Sequence, residues 1–318
     1  MIDISTPAIA AVAAEAILLQ RGGRTGGVLR WDAACNCWRW SDPLTSLVYN
    51  WPSAAATATP SAPPATVATV ATAGSLRLSE SACALAACAS GRLLLGQGKR
   101  LGMVELPAAG SVARTLQSQV LLTVDAAEPR TAVSDGCTDR AGNFVFGTAN
   151  IASDQRPIGS FYQYSQRHGL RRLALPVVVR ATGIAFSADG ARMVFADGNR
   201  ILHCPYDADR ARVGNATTFA ESDVAVGAAV IDSADCLWSI QGAELVRYDA
   251  GGAVLCRIAL EGAAPVALAF GGDGLAHLLL LGHDGALYGL PSGLLDNATA
   301  GIADTLFDDM APALQAVG

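Results

Sequence analysis

One unit recurs six times along the chain: a short apolar strand, a turn built on Asp, Asn, Ser or Gly, and a second apolar strand ending in Gly or Asp. The first copy runs from Trp31-Asp32 through Asn36 to Trp38-Arg39-Trp40-Ser41-Asp42, and the second from Ala82 through Ser90-Gly91 to Leu93-Leu94-Leu95-Gly96. The third joins Asp135-Gly136 through Gly142-Asn143 to Phe144-Val145-Phe146-Gly147, and the fourth joins Gly183-Ile184-Ala185-Phe186 through Asp189-Gly190 to Met193-Val194-Phe195-Ala196-Asp197. The fifth turns at Ala234-Asp235 into Leu237-Trp238-Ser239-Ile240, and the sixth at Gly272-Asp273-Gly274 into His277-Leu278-Leu279-Leu280-Leu281. Several copies continue into a third strand, as at Arg200-Ile201-Leu202-His203-Cys204 and Glu244-Leu245-Val246-Arg247-Tyr248. The turns recur every roughly 40–55 residues, and four short antiparallel strands at that period make one blade of a propeller.

The fold expected is therefore all-β: a six-bladed β-propeller of four-stranded antiparallel blades over residues 24–291. An N-terminal segment (1–23) and a C-terminal segment (292–318) flank it, the latter closing or packing on the ring. A helix competes only at residues 8–19 and near 312–317. Residues 52–74 are almost entirely Ala, Thr, Pro, Ser and Val, which reads as an extended low-complexity loop between the first two blades.

Composition narrows the partners. Hydrophobic residues make up 51% and charged residues 16%, ample for a buried core and opposite to a disordered chain. A net charge of -6 argues against nucleic acid, whose phosphates need a basic patch. No apolar run reads as a membrane helix or a secretory leader, so no membrane partner is expected and a soluble, cytoplasmic protein is. The cysteines at 35, 37, 83, 88, 137, 204, 236 and 256 lack paired zinc spacings, and in that compartment they read as reduced thiols.

Four segments carry a family resemblance. Ser134-Asp135-Gly136 with Gly142-Asn143-Phe144-Val145-Phe146-Gly147-Thr148 is one. Thr182-Gly183-Ile184-Ala185-Phe186-Ser187-Ala188-Asp189-Gly190 with Phe195-Ala196-Asp197 is another. The fifth unit with Arg247-Tyr248-Asp249, and Ala269-Phe270-Gly271-Gly272 near the sixth, complete the set. Together they resemble the senescence-marker-protein/gluconolactonase (regucalcin-like) family across roughly residues 24–291. The resemblance implies a divalent cation at the channel mouth, held by a Glu, two Asn and an Asp, which polarises a sugar lactone for hydrolysis. Those four ligand positions fall on Gly27, Ser134, Thr182 and Gly227, and the family's substrate arginine falls on Ala132. Two hydroxyls and two glycines supply no carboxylate to offset dehydration of a hard cation.

No cofactor is therefore expected, and the channel residues Ser134, Asp135, Thr182 and Gly227 are expected to meet a small polar or lactone-like molecule, with metal-dependent hydrolysis lost or altered. Asp135 is the one candidate general base, although turn-holding is its simpler role. Two alternatives stand. A lactonase could still use Ca, Mg, Mn or Zn through shifted ligands such as Asp135, Asn150 or Asp154, or the ring could be a non-catalytic scaffold for a protein partner. The four histidines show no metal spacing, and Ser134-Asp135-Gly136 is not a nucleophile elbow.

Overall fold

The computed structural model describes residues 11–52, 74–107, 115–295 and 299–312. Most of the low-complexity segment at 52–74 and of the candidate helix at 312–317 lies outside them.

The inner strands and their second-strand partners are mostly apolar, and their successive side chains turn to opposite neighbouring blades. In blade 3, Phe144 and Phe146 enter the cluster shared with blade 2, while Val145 between them enters the cluster shared with blade 4. Ile184 and Phe186 face back to blade 3, and Ala185 faces on to blade 5. A period of two is what a pleated strand imposes. Here it welds each blade to two neighbours.

Six sheets result, and their inner strands are Leu29–Asp32, Ala84–Ala87, Thr131–Thr138, Thr182–Phe186, Val226–Ile231 and Pro265–Gly271. Each pairs antiparallel with the next strand in sequence. Six apolar clusters fill the six gaps between neighbouring blades, including the gap between the last and the first, where Trp31 and Trp38 meet Ala267 and Leu279. The protein is an all-β, six-bladed propeller.

Blades 4 and 5 each gain a fifth strand beyond the expected four. Residues 11–20 of the N-terminal segment join the ring. Ile17–Gln20 is the outer strand of blade 6, antiparallel to Leu287–Gly289, so one blade is built from both ends of the chain. Ala11–Glu15 runs parallel to Val254–Glu261 on the rim of blade 5. The helix entertained at residues 8–19 is not formed over 11–20, because edge pairing on two finished blades overrides the helical preference of its alanines.

Residues 299–309 cross the channel at the end where the inner strands finish. Ser233 N–H donates to Ala300 O and Gly301 N–H to Leu275 O, tying the strap to blades 5 and 6. Thr138 Oγ1 donates to Thr305 O, and Phe307 N–H donates to Ala87 O, tying it to blades 3 and 2. Phe307 is fully buried and stacks on Tyr164 with centroids 5.6 Å apart.

Candidate functional site

The channel has two unlike ends. Gly27, Ser134, Thr182 and Gly227 lie where inner strands begin, and the strap covers the end where they finish.

Geometry at the entry end follows from how neighbouring blades are stitched. Ser134 Oγ donates to Ala181 O of blade 4 at 2.8 Å, and Thr182 Oγ1 donates to Val226 O of blade 5 at 3.2 Å. Each hydroxyl thus spends its proton on the next blade's backbone. Gly27 is closed on its Cβ side, since a Cβ there would overlap the Ser41 hydroxyl oxygen and lie 3.0 Å from Pro43 Cδ. Gly227 has more room, with Ile240 3.5 Å from where its Cβ would be. No carboxylate stands at any of the four positions. The donor set does not fit a hard divalent cation, which takes six or more oxygens with anionic ones among them.

The shifted ligands do not assemble either. Asp135 Oδ1 accepts from Gly136 N–H at 2.8 Å and its Oδ2 from Ile184 N–H at 3.1 Å. It bridges blades 3 and 4. In register Asp135 faces Gly147, three residues before Asn150, or about 10 Å along the strand. Asn150 Nδ2 donates to Asp154 Oδ1 at 2.7 Å, its Oδ1 caps Ala152 N–H, and Asp154 is ion-paired with Arg130 and Arg156. Among the described residues, the one trio of His, Cys, Asp or Glu with ligand atoms close together is Asp32, Cys35 and Cys37, at the opposite end.

Deeper in, the channel is crossed by a cation that the sequence reading passed over. Arg30 Nη2 donates to Gly136 O at 2.7 Å, reaching from blade 1 to blade 3. Enclosure by the blades pushes the Asp135 carboxyl above the usual carboxylate range, while Arg30 and the amides of Ile184, Gly136 and Gly183 pull it back. Asp304 of the strap is exposed yet set among the blades, and that enclosure raises it against the charges of Arg30 and Arg140. Burial pushes the neighbouring Cys137 thiol up to about 12, which leaves it protonated and poorly nucleophilic. The signal for Arg30 was a basic residue set between Leu29 and Trp31 in a short, mostly buried inner strand.

Arg140 staples the exit end, donating to Ser187 O and Phe186 O of blade 4 and to Ala303 O of the strap. A cavity of about 50 Å³ remains beneath Arg30, lined by Cys137, Ile184, Phe186, Ile231, Phe270 and Asp304. That is well below the roughly 150 Å³ that holds benzene, so it suits water rather than a sugar.

Comparison with known proteins accords with this fold. Residues 26–282 match the SMP-30/Gluconolactonase/LRE-like region. An L-arabinolactonase from Azospirillum brasilense is 33% identical over 169 residues, which is 50% of this chain and 56% of that protein; the match thus spans about half the length of the relative. The calcium-binding protein regucalcin from Agrobacterium tumefaciens superimposes with a TM-score of 0.75 at 20% identity, over 94% of this chain and 99% of that one. A gluconolactonase from Xanthomonas campestris gives 0.65 at 19% identity, over 87% and 90%. No helix among the described residues is long and apolar enough to cross a membrane. By a match over most of its length, by its sixfold ring and by its motif segments, the chain belongs to the SMP-30/gluconolactonase/LRE-like family.

Proposed function

We propose that this propeller binds a small polar, lactone-like molecule at the entry mouth of its channel without a divalent cation, and that cation-dependent lactone hydrolysis is lost or altered. One observation carries the reading. At the four positions where the family resemblance places a cation's ligands, two residues have no side chain and the other two direct their hydroxyls to Ala181 O and Val226 O. Family membership and the L-arabinolactonase likeness favour a sugar lactone or its open hydroxy acid as the ligand class.

Ser134, Asp135, Thr182 and Gly227 border the proposed site. The hydroxyl oxygens of Ser134 and Thr182 keep lone pairs free to accept from a sugar hydroxyl. Asp135 holds Gly136 and Ile184 in place rather than acting as base. Buried thiols such as Cys88 and Cys204 suit a reducing, cytoplasmic setting, and the acidic balance favours a small-molecule partner over nucleic acid.

Elemental analysis of the purified protein, followed by lactone binding and hydrolysis assays with excess chelator and then with Mn²⁺, Ca²⁺ or Zn²⁺, tests this. Saturable lactone binding unchanged by chelator is the expected result. A stoichiometric bound cation with cation-stimulated turnover would overturn it.

A further inference from the structure

The first turn of blade 1 brings together four groups that the channel does not use. Cys35 and Cys37 flank Asn36, whose φ of 50° lies in the left-handed region that asparagine tolerates. The bend brings the two sulfurs to 3.2 Å. Arg39 Nη2 lies 3.0 Å from Cys35 Sγ and donates to Asp32 Oδ2 at 2.6 Å. Cys35 is exposed and Cys37 buried, so the pair opens to solvent through one sulfur.

Two chemistries compete for such a cluster. The ligand atoms of Asp32, Cys35 and Cys37 all lie within 4.8 Å of one another, close enough for a cation. Arg39 already touches all three, however, and its fixed charge opposes a second positive centre. The same charge favours a thiolate. A hydrogen bond from Cys35 holds the Cys37 thiol below its ordinary value, against burial and with help from Arg39. The two sulfurs share a proton, so the pair yields its first proton as a unit. Elsewhere burial pushes Cys88 and Cys137 up to about 12 and Cys204 to about 11.

We propose that Cys35 and Cys37 form a modification site, a vicinal dithiol that a small peroxide oxidises to an intrachain disulfide. The thiolate of the pair attacks one peroxide oxygen, the O–O bond breaks, and the departing hydroxide takes a proton to leave as water. The sulfenic acid so formed is attacked by the second sulfur. An S–S bond forms, the S–O bond breaks, and hydroxide leaves with the thiol proton as a second water. Two thiols are oxidised and one hydrogen peroxide is reduced. Closing the bond needs the sulfurs to approach from 3.2 Å to about 2.0 Å. The site lies at the opposite end of the channel from Ser134 and Thr182, so it stands independently of the ligand proposed there.

Reduced full-length protein treated with one equivalent of hydrogen peroxide, then alkylated and mapped by peptide mass spectrometry, tests the proposal. The peptide containing Cys35 and Cys37 should lose two hydrogens and resist alkylation until dithiothreitol is added. It should do so at least tenfold faster than any of the other cysteines. Cys35→Ser and Cys37→Ser should each abolish the disulfide, and Cys37→Ser should also slow the first oxidation, because it removes the thiolate that attacks. Alkylation of both thiols after peroxide would overturn the proposal. So would stoichiometric Zn²⁺ on the reduced protein that Cys35→Ser removes, because that marks a metal site.

Discussion

The Asp309 carboxylate accepts a hydrogen bond from the Ser90 backbone amide at 3.0 Å, although 219 residues separate them. Blades 1, 3 and 5 make the same contact internally: Asp32, Asp139 and Asp232 each accept from the amide two residues on, at Ala34, Ala141 and Ala234. Blade 2 has Cys88 at that position, its N–H paired to Arg92 O as Asp139 N–H is paired to Asn143 O. A thiol cannot replace the carboxylate. The strap supplies it from outside, and Asp309 also binds Arg92 at 2.6 Å.

Asp309→Asn should therefore destabilise the fold by about 2–3 kcal/mol, the loss expected when a buried charged hydrogen-bond partner is removed. Burial raises the Asp309 carboxyl, but its bonds to Ser90 and Arg92 outweigh this and hold it below its ordinary value. A carboxylate depressed in the folded state stabilises above its unfolded pKa of about 3.9, and that contribution fades as pH falls through the folded value. In urea titrations the gap between wild type and variant should be full near neutrality and shrink below about pH 4.

Phe307 anchors the strap in the blade 2–3 core. Phe307→Ala should cost about 3 kcal/mol or release the strap, whichever is smaller. Hydrogen exchange distinguishes the outcomes: release should expose the Phe307 and Asp308 amides, which now donate to Ala87 O and Gly142 O.

Arg30→Leu removes the cation facing Asp135 and Asp304. Both carboxyls already sit above their ordinary value, and without Arg30 they should rise further. A carboxyl raised on folding opposes the folded state once pH passes its unfolded pKa. The stability lost in the variant should therefore be larger at pH 7.5 than at pH 4.5, as read by urea unfolding. An equal loss at both would contradict the role given to Arg30.

Gly27→Glu places the family's carboxylate back at its position in sequence. Here the Cβ meets Ser41 and Pro43, so the variant should be destabilised by about 1–3 kcal/mol. Calorimetry should find no new cation binding, because Ser134, Thr182 and Gly227 still offer no further carboxylate.

The ring was legible because each blade repeats a short apolar strand, a turn residue and a second apolar strand, as at residues 144–147 and 193–197. The family's ligand positions were assigned from the same repeat, with Ser134 and Thr182 taken at matching offsets from those turns. The strap was not. Residues 299–309 have no regular pattern, and the part played by Asp309 depends on a turn in blade 2 that lacks its own aspartate. The strands at 11–20 were obscured because alanine-rich sequence favours helix locally, and only the completed blades 5 and 6 offer them edges. Arg30 was overlooked because its partner, Gly136 O, lies across the channel, 106 residues away.

Calorimetric titration of Mn²⁺ into chelator-stripped protein tests the central claim most directly. The account predicts no saturable binding, with a sugar lactone giving the same heat of binding in excess chelator as in excess Mn²⁺. One equivalent of Mn²⁺ bound in the micromolar range, with lactone binding that appears only when the cation is present, would contradict it.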